Sequence, residues 1–175
     1  STGPGSGADG EGRGVVVVAG VGTGGTLSGS ARDRKGQNPA IHVAAGAPDA
    51  SRLLAGGQAG PHQIQGIGAN FIPDTLDRGI YDQVIRVRDG DAFAAGRELV
   101  RSEGVLVGIS SGAALWAAAP LARQPEYAGT TIVVILPDSG DRHPSSPLFA
   151  ECSPAPSPDT RRRRLFRQSI HPPQH

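Results

Sequence analysis

Apolar residues recur along this chain in short blocks separated by glycine- and proline-rich turns, and the period within each block predicts its element. Val15-Val16-Val17-Val18-Ala19 is a continuous, mostly β-branched run. Apolar on both faces, it predicts a central parallel strand rather than an alternating edge strand. Gly20-Val21-Gly22-Thr23-Gly24-Gly25-Thr26 follows directly. Leu27 to Lys35 then predicts a short helix, ended by Gly36 and Asn38-Pro39. Ile41-His42-Val43-Ala44-Ala45 predicts a second strand, and a turn-rich stretch from Gly46 to Leu76 follows. Gln83-Val84-Ile85-Arg86-Val87 predicts a third strand. Asp89 caps a helix to about Ser102, with Ala92, Phe93, Leu99 and Val100 as its apolar stripe, and Gly104 closes it. Val105-Leu106-Val107-Gly108-Ile109 predicts a fourth strand, Ser110-Ser111-Gly112 the cap of a helix from Ala113 to Arg123, and residues 131–136 a fifth strand. Strands alternating with helices at this spacing predict an α/β fold, a parallel sheet with flanking helices.

Composition narrows the class. The 175 residues suit one domain or part of a larger one. With 26 Gly, 15 Pro and 37% hydrophobic residues, this is a glycine-rich globular chain, not a fibre. Residues 1–14 read as a flexible lead-in, 15–149 as the folded domain, and 150–175 as a disordered Arg/Pro-rich tail. No apolar run is long enough for a membrane helix, and the N-terminus has no basic region followed by an apolar one, so a cytoplasmic location is expected. The single cysteine, Cys152, excludes an intrachain disulfide and a multi-cysteine zinc site. His42, His62 and His143 lie far apart in sequence, so no metal site is expected. A net charge of +1 gives no case for nucleic acid, and Arg161 to Arg164 read as a solvated tail. There is no methionine, so the chain does not include its own translational start or has lost it. Lys35 is the only lysine.

Three loops are candidates for chemistry. A glycine-rich turn between a buried strand and a helix lets backbone N–H groups close on an anion, with the helix dipole adding positive charge. Gly20-x-Gly22-x-x-Gly25 fits the dinucleotide pattern, but Ala44, Ala45 and Gly46 stand where its acidic residue belongs, and Asp49 comes late. Gly22, Thr23, Gly24, Gly25 and Thr26 alternatively form a compact cup for one phosphate monoester, or a tight turn that binds nothing. Ser110-Ser111-Gly112 is either an ordinary helix cap or a ligand site at a strand's carboxyl end. Gln65-Gly66-Ile67-Gly68-Ala69 is either a turn or a point of close backbone approach.

Four segments in register carry a family resemblance. VAGVGTGGTLSG at 18–29, GPHQIQGIGANFIPDTLD at 60–77, EGVLVGISSGAA at 103–114 and GTTIVVILPDSGDR at 129–142 resemble cysteine synthase, a pyridoxal-phosphate (PLP) enzyme of fold type II, the tryptophan synthase β-like architecture. The match runs from about Gly14 to Phe149 and corresponds to the family's C-terminal half. The resemblance implies that Gly22, Thr23, Gly24, Gly25 and Thr26 hold the cofactor phosphate. It implies that Ser110 hydrogen-bonds the pyridine nitrogen and that Gly66 and Ile67 line the mouth for the amino-acid substrate. It implies synthesis of L-cysteine and acetate from O-acetyl-L-serine and sulfide by β-replacement, in a homodimer whose active-site mouth also receives the C-terminal tail of serine acetyltransferase. A cystathionine β-synthase-like fragment, a non-catalytic PLP or phosphate-ester binder and a nucleotide-binding α/β domain are the alternatives.

The family's Schiff-base lysine lies in an N-P-x-x-S-x-K-D-R segment, and its substrate-carboxylate loop is Asn-Gly-Thr; neither is among these 175 residues. Lys35, in a charged helix end, reads as a solvated surface group. The chain is therefore expected to carry the phosphate cup but no catalytic residue, and to be inactive alone. Sheet edges and helix faces left uncovered predict oligomerisation or poor solubility. His143-Pro144 and Ala47-Pro48 depart from the family pattern. Trp116 reads as core or interface packing, and Asp141 with Arg142 as a structural ion pair.

Overall fold

A computed structural model describes residues 14–138. The expectations for the lead-in before residue 14, the tail, His143-Pro144 and the Asp141–Arg142 pair lie outside the described residues. Four parallel strands form one sheet: β1 (Gly14–Gly20), β2 (His42–Pro48), β3 (Gln83–Val87) and β4 (Thr131–Ile135), in the order β3-β2-β1-β4. Three helices flank it: α1 (Gly25–Gln37), α2 (Asp89–Glu103) and α3 (Ile109–Ala122). Val17 is central, registered with Val43 on one side and Val133 on the other.

The valine run explains the layering. Successive strand residues point to opposite faces, so a run apolar throughout feeds two cores. Val16 and Val18 join Ala44, Val87, Ala92, Ala113, Ala117 and Leu121 under α2 and α3. Val17 and Ala19 join Val43, Ala45, Leu27 and Ala31 under α1. A fully buried valine contributes about 1.5–3 kcal/mol, so this one strand anchors both layers. Of the stripe expected on α2, Ala92 is buried and Phe93 packs against the core, while Leu99 and Val100 stay half-buried.

The expected fourth strand does not form. Among residues 105–109 only Val107 makes an isolated bridge; Val105 and Leu106 are 45% and 44% exposed. Gly104 ends α2 in the left-handed region at φ 70°, and α3 already starts at Ile109, capped by Gly108. Only a short link remains, so α2 and α3 pack as a helical pair instead of forming a βαβ unit. The early start of α3 places Ser110 and Ser111 inside its first turn rather than at its cap. Likewise α1 begins at Gly25, not Leu27, so Gly25 and Thr26 belong to the helix.

Candidate functional site

β1 lies between β2 and β4, and the chain leaves it toward β2 and returns later to its other side as β4. Open parallel sheets bind ligands beyond the carboxyl ends of strands at such a reversal point. A cavity of about 140 Å³ opens there, lined by Gly20, Gly22, Thr23, Gly24 and Thr26 after β1, by Gly66 and Ile67, and by Ile135 and Pro137 after β4. A larger, open depression of about 650 Å³ runs beside β3, past Asp49, Arg86, Trp116 and Gln124, and contains no residue of the three candidate loops. Trp116, 39% exposed, lines it instead of filling the core.

The glycine loop after β1, a cup in shape, owes that shape to steric necessity. Gly24 caps α1 at φ 82°, a conformation that costs other residues strain. A Cβ there would also lie 2.5 Å from Leu76 Cβ. The Gly24 carbonyl accepts the first helical bond, from the Ser28 N–H at 2.9 Å. The amides of Gly25, Thr26 and Leu27 precede that bond and have no earlier helical carbonyl to reach. The first turn of α1 carries no acidic side chain, so its partial positive charge is left for an anion. Thr23 and Gly25 are exposed, and Thr26 is half-buried.

The loop of residues 66–68 lies directly on this cup. A Cβ on Gly22 would collide with the Gly66 carbonyl oxygen. A Cβ on Gly20 would come within 2.9 Å of Ile67 Cγ2, and Ile67 is buried. The Gly68 N–H donates to the Val21 carbonyl at 2.9 Å. Three sequence-predicted segments thus meet, since Ser110 Cβ and Oγ both lie 3.8 Å from where a Gly66 Cβ would sit.

A strap over residues 73–82, beginning in the expected turn-rich stretch, holds the cup from outside. The Thr75 hydroxyl donates to the Thr23 carbonyl. The Asp77 N–H donates to Ser28 Oγ at 2.9 Å, and the Asp77 carboxylate pairs with Arg32 at 3.0 Å. The Arg32 hydrogen bond, then the Gly79 N–H, hold the Asp77 carboxyl below its ordinary range. Farther along, Asp82 pairs with Lys35 at 2.9 Å and accepts the Val43 N–H at 2.8 Å. Burial pushes the Asp82 carboxyl up, but the Lys35 and Val43 hydrogen bonds, with the charges of Lys35 and His42, outweigh it and hold the carboxyl below its ordinary value of 3.8. A carboxyl depressed in the folded state contributes its full stability above its unfolded value, and that contribution is lost as pH falls through the lower folded value. Urea melts between neutral pH and the acid side of 3.8 are therefore expected to show a stability loss that is smaller in Asp82→Asn.

Asp138 is the residue the sequence reading missed. Ser110 Oγ donates to Asp138 Oδ1 at 3.0 Å. Ser111 Oγ lies 2.7 Å from the same oxygen and 3.2 Å from the Asp138 carbonyl, so its one proton goes to the carboxylate. The Gly108 N–H donates to the Asp138 carbonyl at 3.3 Å, and a Cβ on Gly108 would collide with the carboxylate. Both serines are buried. Asp138 thus crosses from the end of β4 to the N-terminus of α3, where a negative charge is favoured. An aspartate just past a strand at the sheet's carboxyl edge was the available signal.

The remaining candidates separate from the site. Lys35 is ten residues into α1 from Gly25, about 15 Å along the axis at 1.5 Å per residue, and its side chain is 22% exposed and ion-paired. It is a half-buried structural cation rather than the solvated group expected. Asp49, the late acidic residue of the dinucleotide pattern, pairs with Arg86 at 3.5 Å and does not line the cavity. No group of three or more metal-ligating side chains occurs among the described residues, nor a helix long and apolar enough to cross a membrane.

Known proteins share this fold. The family model for pyridoxal-phosphate dependent enzymes matches residues 11–138. A cysteine synthase of Staphylococcus aureus (strain Mu50) is 47% identical over 135 residues, covering 77% of this chain and 43% of that protein. The crystal structure of cysteine synthase from Entamoeba histolytica superposes with a TM-score of 0.80 at 40% identity, covering 82% of this chain and 42% of that one. The O-acetylserine dependent cystathionine β-synthase of Helicobacter pylori gives a TM-score of 0.75 at 38% identity, covering 85% and 48%. The chain spans less than half the length of the curated cysteine synthases it matches. On the match over residues 11–138 and the shared fold, the chain belongs to the pyridoxal-phosphate dependent enzyme family.

Proposed function

We propose that this chain is the phosphate-binding, C-terminal portion of a cytoplasmic cysteine synthase, which makes L-cysteine and acetate from O-acetyl-L-serine and sulfide. The observation that carries it is the convergence of the cup, the Gly66–Ile67 loop and Ser110 at the reversal point of the sheet. The same face carries an acid-free helix N-terminus. The residues fit PLP: the amides at the start of α1 and the Thr23 and Thr26 hydroxyls suit a phosphate monoester, and a side chain on Gly22 would displace the loop that closes the cup. When bound, PLP supplies an electron sink for bond changes at the amino acid's α and β carbons.

The chain's own residues hold and orient. Gly22 to Thr26 fix the phosphate. Ile67, packed over Gly20, closes one wall against water. Ser110 keeps its proton on Asp138 Oδ1, so it donates to a ring nitrogen only by turning away from that carboxylate. Nothing here replaces the family's catalytic lysine, because Lys35 sits far along α1 from the cup and is tied to Asp82. A second copy, O-acetyl-L-serine and the tail of serine acetyltransferase are the partners this function implies.

Calorimetric titration of the 175-residue chain with PLP and with inorganic phosphate tests the assignment. Saturable binding of PLP, competed by phosphate, is expected, with no cysteine formed from O-acetyl-L-serine and sulfide. No saturable binding of either would sink the cup assignment. Turnover by the chain alone would sink the claim that it lacks a catalytic residue.

A further inference from the structure

We propose that His62 is a positioning residue, a strut that fixes the Gly66–Ile67–Gly68 loop against the phosphate cup; its bearing on ligand binding rests on the function proposed above. His62 Nε2 lies 2.9 Å from the Gly68 carbonyl oxygen. Gly66 and Gly68 both take positive φ, 88° and 70°, so neither side of Ile67 is held by ordinary backbone preference. Gly68 has no room for a side chain: a Cβ would lie 2.5 Å from Pro48 Cγ and 2.6 Å from His62 Nε2. His62 thus occupies the space beside Gly68 as well as bonding to it.

The strut is itself anchored. Next to His62, the Gln63 N–H donates to Asp89 Oδ2 at 2.9 Å, at the start of α2. One residue further on, Ile64 is fully buried in the core beneath α2 and α3. Gly68 is therefore gripped from two sides, by the Val21 carbonyl through its N–H and by the imidazole through its carbonyl. Between these grips lie Ile67 and the Gly66 carbonyl, the atoms that press on Gly20 and Gly22. His62 does not line the cavity, so it acts through the loop and not on a ligand.

The bond also fixes the tautomer. A carbonyl accepts, so Nε2 carries the proton and donates. His62 Nδ1 is buried without a hydrogen-bond partner, where a bare lone pair is tolerated better than an unpaired N–H.

The full chain, labelled with ¹⁵N, tests this in three measurements. Two-bond proton–nitrogen correlations of the wild type are expected to show His62 protonated at Nε2 alone; protonation at Nδ1 alone would overturn the proposal without any variant. Amide exchange at Gly68, whose N–H is bonded to the Val21 carbonyl, is expected to quicken about tenfold in His62→Phe, which fills the space without a donor, while Val17 and Val43 in the sheet stay protected. His62→Gln, which returns a donor near the Nε2 position, is expected to restore slow exchange. Unchanged exchange in His62→Phe, or no rescue by His62→Gln, would overturn it. PLP affinity is expected to fall in His62→Phe and recover in His62→Gln. Should the wild type bind no PLP while the exchange pattern holds, the function fails and the strut stands.

Discussion

Gly22→Ala is expected to weaken binding of PLP and of inorganic phosphate by about tenfold or more, with a loss of stability of about 1–3 kcal/mol. A methyl group at Gly22 meets the Gly66 carbonyl oxygen, a backbone atom that cannot rotate away. Overpacking of this kind typically costs about 1–3 kcal/mol, and about 1.4 kcal/mol is a factor of ten in affinity. The easier movement is for the 66–68 loop to lift, because Gly66 is exposed whereas Gly22 follows directly on the buried strand β1. The cost then falls on the wall of the cup rather than on the sheet. Gly29→Ala is the control. Gly29 is exposed on α1 with nothing within 4 Å of a new Cβ, and alanine in a helix is favoured over glycine by about 0.5–1 kcal/mol. Calorimetry on both variants separates a specific clash from a general effect of losing glycine. Equal affinities in wild type and Gly22→Ala would mean that the two loops do not touch in solution.

The layered sheet was legible because its signals were local. An apolar run at 15–19 followed by Gly20 and Gly22 states a buried strand and a tight exit in one stretch of chain. The cup residues followed from the same stretch, and the structure places Gly22, Thr23, Gly24 and Thr26 together on the cavity. Val105-Leu106-Val107 misled for a physical reason. Three apolar residues look like a strand, but whether they pair depends on when the next helix begins. That start is set by Asp138, which is 28 residues from Ser110 and bonds to it across the molecule. The strap was hidden likewise. Thr75, Asp77 and Asp82 are ordinary polar loop residues until the fold brings them against Thr23, Ser28 and Lys35. Positions set by one stretch of chain could be read; positions set by long-range polar pairing could not.

The same long-range pairing makes Asp138→Ala the substitution with the largest expected loss of stability, about 1–4 kcal/mol. The buried hydroxyls of Ser110 and Ser111 both donate to this carboxylate. In Asp138→Ala the Ser111 hydroxyl can turn to the Asp138 carbonyl, 3.2 Å away, so Ser110 is the donor left unsatisfied, at a cost of about 1–3 kcal/mol. Removing a negative charge from the N-terminus of α3 adds about 0.3–1 kcal/mol. Asp138→Asn keeps a carbonyl oxygen that can accept and so is expected to recover a large part of the loss. The triple replacement Asp138→Ala, Ser110→Ala, Ser111→Ala is expected to be more stable than Asp138→Ala alone, since it removes the stranded Ser110 donor along with its acceptor. Such non-additivity marks residues that share one network, and distant sites do not show it. Urea unfolding of the four proteins, wild type included, reads the whole pattern. If Asp138→Ala melts within about 0.5 kcal/mol of wild type, the range of ordinary surface substitutions, the clamp between β4 and α3 does not hold in solution. Ser110 would then be free to offer its proton to a ligand from the outset.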